Sequence, residues 1–344
     1  MPSKRSFLIL VVALVVWGQL VDGFDLLLLA RAFCWAMLGL SAWLLLRVGG
    51  RASLGTAAFQ GTAAYVVGLS ATTWELDNFW VVLALALGAA GVLGAIVGWV
   101  SSRLTGFHFL LITLAFAEML RSLALRWRTL GGEDGISGIT RPSTWPLPVD
   151  LADSRHLMWF TGVLMVVVLL GLVLLLRSPF GAALIGVRDS ETRMASLGYA
   201  PTPYRIVAVV MASMIAGLAG TLNAYAVRFV SPADFVPLVS AKALLFTVIG
   251  GAGMLGAVVA ACVMTFLEDD LSSRWDRWPM ILGAVYVALA MIGQGPAHRV
   301  RGIGRRMVAA ARRQPAAAPT AVAPLNPMHR VPAVARRVPV EVDR

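Results

Sequence analysis

Phe79-Trp80-Val81-Val82-Leu83-Ala84-Leu85-Ala86-Leu87-Gly88-Ala89-Ala90-Gly91-Val92-Leu93-Gly94-Ala95-Ile96-Val97-Gly98-Trp99-Val100 holds no charged side chain. About 20 apolar residues carry a helix across the hydrocarbon core of a bilayer, so this stretch reads as a membrane-crossing helix. Similar runs lie at 7–22, 26–46 and 53–70 before it, and at 104–124, 156–176, 205–228, 238–250, 253–268 and 278–294 after it. The predicted fold is therefore all-α: a polytopic membrane helix bundle of about ten membrane segments, some of them broken or re-entrant. Composition agrees. Of 344 residues 58% are apolar and 14% charged, whereas soluble domains sit near ~45–50% apolar even with glycine counted. That excludes a disordered chain and an ordinary soluble enzyme.

The net charge of +11 is unevenly placed. From 297 onward ten arginines face only Glu341 and Asp343, so the tail carries +8 and the remaining residues +3. Residues 1–296 read as a transmembrane domain. Residues 297–344 read as a basic Pro/Ala-rich tail, mostly disordered, with prolines at 315, 319, 324, 327, 332 and 339. Basic loops face the cytoplasm. Lys4 and Arg5 place the N-terminus inside, Asp22 and Asp25 fall outside, Arg47 and Arg51 inside, Glu75 and Asp77 outside, and Arg103 inside. The loop 125–155 falls outside despite its arginines, and 177–204 falls inside. If 238–250 and 253–268 are separate segments, Glu268, Asp269 and Asp270 lie outside and the basic tail returns to the cytoplasm. Trp17-Gly18-Gln19 is a poor cleavage site, so the first run is expected to stay as a span.

The break between those two segments is Gly250-Gly251-Ala252-Gly253. Irregular backbone at membrane depth is tolerated only where protein or a water-filled cavity surrounds it, so Gly250, Gly251 and Gly253 are candidates for a translocation path. Ser53-Leu54-Gly55-Thr56-Ala57-Ala58-Phe59-Gln60-Gly61 is polar for a span. Ser53, Thr56 and Gln60 either line a path for a polar or zwitterionic solute or bond to neighbouring helices. Glu118 is an intramembrane carboxylate. It is either a path residue or half of an i,i+3 pair with Arg121. Arg31 and Lys242 lie near span ends, where snorkelling accounts for them. Small residues at four-residue spacing (Ala57, Gly61 and Gly68; Ser213, Gly217, Gly220 and Ala224; Gly256 and Ala260) predict close helix packing.

The loop 177–204 carries the most local information. Ser178-Pro179 reads as an N-cap followed by proline at the first helical position. Asp189 is a second N-cap candidate, with Glu191 in the first turn. Gly198 supplies a stop before Pro201 and Pro203. Two short helices joined near Arg188 would form a preorganised knob. Chemistry is otherwise sparse. The two cysteines, Cys34 and Cys262, lie in apolar runs, and the four histidines lack ligand spacing. No phosphate-binding G-x-x-x-x-G-K-[ST] loop and no hydrolase or metalloprotease motif occurs. The chain is expected to be no enzyme, to carry no ATPase motif and to need no cofactor.

Six segments in order carry a resemblance. They are Ala52-Ser53-Leu54-Gly55-Thr56-Ala57-Ala58-Phe59, Thr113-Leu114-Ala115-Phe116-Ala117-Glu118, Gly131-Gly132-Glu133-Asp134-Gly135-Ile136, Ser178-Pro179-Phe180-Gly181 with Leu197-Gly198-Tyr199, Phe229-Val230-Ser231-Pro232, and Ile249-Gly250-Gly251-Ala252-Gly253. Together they resemble the permease subunits of branched-chain amino-acid-type ABC importers, the LivM-like family, over about 50–295. The resemblance implies a multi-pass subunit of the bacterial cytoplasmic (inner) membrane, forming the path for branched-chain or related amino acids. It implies as partners a second, LivH-like permease subunit, two ATP-binding cassette ATPase subunits and an extracytoplasmic solute-binding protein, with no nucleic acid. It also implies that the loop docks on the ATPase as a coupling element through Arg188, Asp189, Glu191, Arg193 and Gly198. Thr56 stands where the family commonly has His, and Ala182 where a basic residue is common. The competing reading is a stand-alone secondary transporter, against which the scarcity of intramembrane carboxylates argues.

Overall fold

The computed structural model describes residues 24–294, apart from 105, 145–150, 252 and 276. The expected first span at 7–22 and the tail from 297 lie outside the described residues. The elements in order are α1 (Phe24–Trp43), running on into a π-helical turn (Leu44–Val48), α2 (Thr56–Thr72), α3 (Phe79–Ser101), α4 (Phe107–Arg126), a 3-10 turn (Arg128–Leu130), β1 (Ile136–Ser137), α5 (Ser154–Arg177), α6 (Pro179–Asp189), α7 (Glu191–Ser196), α8 (Pro201–Val227), β2 (Phe229–Val230), a 3-10 turn (Pro232–Phe235), α9 (Pro237–Ile249), α10 (Met254–Arg274) and α11 (Trp278–Gln294). Nine of the ten apolar runs thus fall on described helices. Among the described residues, five helices are long and apolar enough to cross a bilayer: Asp25–Val48, Phe79–Ser101, Phe107–Arg126, Ser154–Arg177 and Pro201–Val227.

Polar residues between the runs set the helix starts. Asn78 Oδ1 accepts from the N–H groups of Trp80 (2.9 Å) and Val81 (3.4 Å), Asp153 accepts from Arg155, and Ser178 Oγ accepts from Gly181 N–H (3.1 Å). Each satisfies backbone donors that a helix N-terminus leaves unpaired. Arg228, in the left-handed region at φ 58, ends α8.

Burial ranks the helices. In its apolar window α1 is 83% buried and α8 is 56%, against 22% for α4 and α5. The core is therefore α1 and α8, with α2, α3, α5, α9 and α10 packed around them. Hydrophobicity does not drive helices together in lipid, so backbone approach through small residues decides the contacts. α8 lies so close to α2 that a Cβ on Gly220 would fall 2.1 Å from the Gln60 carbonyl oxygen. Ser41 Oγ on α1 donates to the Ala212 carbonyl of α8 (2.7 Å).

Four details differ from the sequence reading. Ser190, not Asp189, caps α7. Its backbone is extended and its Oγ accepts from Arg193 N–H, whereas Asp189 is still the last helical residue of α6 and cannot take the non-helical cap conformation. The 53–61 segment is not one helix: α2 starts only at Thr56, and 49–55 is irregular. The stretch after Gly253 is not short, because α10 stays helical through the acidic residues to Arg274. Lys242 does not snorkel; it forms an ion pair with Glu268. A small antiparallel ribbon also joins the loop after α4 to the connection between α8 and α9, with Ile136 opposite Val230 and Ser137 opposite Phe229.

Candidate functional site

The segment 177–204 folds into a two-helix knob. α6 is anchored by buried Gly181, Ala183, Leu184 and Val187, while α7 has no buried residue. Leu197 at its tip is 71% exposed. Met194 seats α7 under Gly186. Gly198 closes the helix in the left-handed region at φ +88, its N–H reaching the Ala195 carbonyl and Tyr199 N–H the Met194 carbonyl, both at 3.0 Å. Arg193 faces outward, with its backbone N–H used by the cap.

Polar contacts tie this knob to the bundle. Arg188 pairs with Asp189 and donates to the Arg47 carbonyl in the π-helical turn of α1. Its stem lies over Gly50, where an added Cβ would meet Arg188 Cγ at 2.5 Å. Glu191 pairs with Arg205 of α8, and Arg205 also donates to the Ser102 carbonyl (3.1 Å). Arg51 donates to the Ser101 and Ser102 carbonyls (3.3 and 3.4 Å) and lies 5.2 Å over the Phe109 ring. Burial, with repulsion from Arg205, lowers the Arg51 guanidinium to about 10 against partial compensation by Glu191. It stays charged at neutral pH.

From Arg51 the irregular segment climbs one turn along α4, from Phe109 to Thr113. Leu54 N–H donates to Thr113 Oγ1 (3.1 Å), and Ser53 Oγ is taken up by Gly55 N–H (3.1 Å). α2 then begins inside the bundle, its Ala57 N–H donating to Ser240 Oγ of α9 (2.8 Å). Thr56 is fully buried and Gln60 is 5% exposed, and neither Thr56 Oγ1 nor Gln60 Oε1 has a hydrogen-bond partner. One helical turn separates them, so they share a face.

α9 and α10 form a hairpin around the glycine break. Gly251 takes φ +73, and Gly250 and Gly256 touch through their backbones, an added Cβ on Gly256 falling 1.9 Å from the Gly250 carbonyl oxygen. Gly253 precedes α10 with open space around it. α9 runs parallel to α1: Lys242 Nζ lies 5.4 Å from the Trp35 ring, and Thr247 Oγ1 donates to the Gly39 carbonyl (3.2 Å). Trp35 is half-way along Asp25–Val48, so the Lys242–Glu268 pair lies at mid-height of the core helix. Glu118 stands apart, paired with Arg121 at 3.1 Å, both side chains well exposed. The 3-10 turn before α9 reaches inward. Its Phe235 stacks on Tyr65 (5.4 Å), and burial raises the Asp234 carboxyl against the opposing bond from Ser231 N–H.

The structure brings Ser53, Thr56 and Gln60 to one start of helix, the three glycines to one hairpin turn, and the five loop residues to one knob. Glu118 joins none of these groups. Arg51, Arg205, Lys242 and Glu268 had no functional reading in the sequence. Their signal is weak, because an arginine after two glycines and a lysine near a span end both look like interface residues.

A family model described as branched-chain amino acid transport system / permease component matches residues 26–311. The chain belongs to this family. It is a membrane permease subunit of an ABC importer, a multi-pass integral membrane protein that works with ATPase and substrate-binding components and is not itself the enzyme. The permease is 29% identical over 312 residues to the high-affinity branched-chain amino acid transport system permease protein LivM of Salmonella typhimurium, covering 84% of this chain and 73% of that one. It is 28% identical over 313 residues to LivM of Escherichia coli, with the same shares covered. No solved structure matches it significantly. All six resembling segments fall inside the matched residues.

Proposed function

We propose that this permease forms the path by which branched-chain or related amino acids cross the bacterial cytoplasmic membrane, powered by ATP hydrolysis on two separate ATPase subunits. It pairs with a second, LivH-like permease and receives solute from an extracytoplasmic binding protein. Ten membrane segments place both termini in the cytoplasm. The knob at 177–204 is the ATPase docking element, with Arg188, Asp189, Glu191, Arg193 and Gly198 as its working residues. The path runs beside the broken start of α2, with Ser53, Thr56 and Gln60, and beside the hairpin turn of Gly250, Gly251 and Gly253. Glu118, already paired with Arg121, belongs to its outer rim.

The observation that carries this reading is the continuous polar wiring from knob to path. Arg188 reaches the π-helical turn and Gly50, and Glu191 reaches Ser102 through Arg205. Arg51, bonded to the same Ser102, lies in the irregular segment 49–55 that leads directly into Thr56. A push on α7 is thereby delivered to the start of α2. The test is uptake in proteoliposomes holding the complete importer, with leucine, isoleucine, valine, urea and acetamide as solutes. The expected outcome is ATP-dependent, binding-protein-dependent accumulation of the three amino acids. Uptake of urea or acetamide in their place would reassign the substrate.

A further inference from the structure

Among the described residues, the membrane helices α3, α4 and α5 leave most of their apolar windows uncovered, and one of the three exposed faces differs from the others. α3 turns Leu85, Val92 and Ile96 outward, and α5 turns Val163, Val167 and Leu174 outward. Such aliphatic faces match lipid tails, which are as apolar as leucine. α4 buries only Phe109, Thr113, Ala117 and Ala124. The opposite stripe holds Leu111, Ala115, Glu118 and Ser122 at three- and four-residue spacing. On it Glu118 stays 43% exposed, and its partner Arg121, at 3.1 Å, stays 39% exposed. Depth makes this placement costly. The 20 residues of α4 rise about 30 Å, the thickness of the hydrocarbon core. About 12 Å of helix separates Glu118 from Arg126, more than a glutamate side chain spans. Ionisable side chains so placed face protein or a water-filled cavity rather than lipid.

We infer that this face of α4 meets a second permease subunit, in a contact built around the Glu118–Arg121 pair; the inference rests on the permease reading above. The charge pattern selects that occupant. The face carries one carboxylate and one guanidinium a turn apart. A helix of the same kind, turned about a two-fold axis along the membrane normal, presents its guanidinium to this carboxylate and its carboxylate to this guanidinium. Ala115 and Ser122, on either side of the pair, are small enough for close approach. The inner face of the same helix is held by the irregular segment: Thr113 Oγ1 accepts from Leu54 N–H, and the Phe109 ring lies under Arg51. A shift of that segment therefore moves the surface at which the two subunits meet.

The test uses the purified importer in lipid nanodiscs, its subunits first counted by native mass spectrometry. Ala115→Cys and Ser122→Cys, each in a chain lacking Cys34 and Cys262, are labelled with benzophenone maleimide and irradiated, with Val167→Cys on α5 as the control. Both α4 positions should give a covalent adduct with the mass of this chain plus a second permease, in several-fold higher yield than position 167. Lipid adducts alone at both α4 positions, as at position 167, overturn the proposal. So does an adduct with the ATPase or the binding protein in place of a permease. Each α4 position reports by itself, so if one variant fails to assemble the other decides. An assembly holding a single permease refutes the pairing reading and this contact together, and the mass count shows it before any label is added.

Discussion

At the residue scale the knob turns on two positions. Gly198 sits at φ +88 with open space around it, so backbone conformation alone restricts what it tolerates. A β-branched residue there costs about 1–2 kcal/mol, enough to loosen the end of a six-residue helix. Glu191 holds Arg205, which also bonds Ser102. Reversing its charge sets two cations against each other. Gly198→Val and Glu191→Arg should each insert normally yet weaken ATPase association or uncouple hydrolysis from uptake. Co-purification of the ATPase, solute-stimulated hydrolysis and uptake, measured in the same membranes, check this. Normal values in all three for both variants would remove the knob as the coupling element. Arg205→Gln should show the same phenotype, because it cuts the same link from the bundle side.

At the element scale, the helices were legible and their depth was not. Apolar length locates a helix to within a few residues, as the runs at 79–100 and 278–294 show against Phe79–Ser101 and Trp278–Gln294. The knob was legible for a related reason, since Ser178, Pro179 and Gly198 each act through local backbone chemistry. Hydropathy carries no height, however. Lys242 looked interfacial because it lies near a span end. The inward 3-10 turn at Pro232–Phe235 instead starts α9 deep in the bundle and puts Lys242 beside Trp35. Its pairing with Glu268 across 26 residues leaves no sequence pattern. The Thr56–Gln60 face was legible as unusual polarity, but the nearness of Asn223 on α8 to Gln60 came only with tertiary packing. The half-buried ion pair gives a test of this placement. Lys242→Met alone leaves Glu268 uncompensated and should cost about 3 kcal/mol or more, whereas Lys242→Met with Glu268→Met should recover most of it. Thermal unfolding of the detergent-solubilised complex measures both. Equal loss in the single and double variants would mean that the pair is solvated.

At the scale of the whole molecule, function requires that opposite ends of the bundle face different compartments. The knob end gathers Arg47, Arg51, Arg188 and Arg205, and the last two turns of α10 carry Asp269 and Asp270. Cytoplasmic loops are enriched in Lys and Arg, which supports the proposed placement of the knob on the cytoplasmic, ATPase side. Ser272 is exposed near the far end of α10. In sequence α11 is followed by the arginines from Arg299 onward. In a background lacking Cys34 and Cys262, Ser272→Cys should react with an impermeant maleimide in intact cells, and Ala311→Cys only after permeabilisation. Labelling of position 311 in intact cells would reverse the final span and detach the basic tail from the ATPase side. The tail itself divides by composition. Residues 314–344 hold six prolines, no Phe, Tyr or Trp and, beyond alanine and valine, only Leu325 and Met328 as apolar side chains, so their removal should leave insertion and uptake nearly intact. The arginines from 299 to 313 follow the last apolar run closely in sequence, and each would contribute about 1 kcal/mol near an anionic surface. Replacing Arg299, Arg301, Arg305 and Arg306 with glutamine should therefore lower the fraction of chains with position 311 protected, while truncation at 313 should not. A tail whose loss abolishes uptake with topology unchanged would have to act on a partner, because charge at the membrane surface would already be accounted for by the inner arginines.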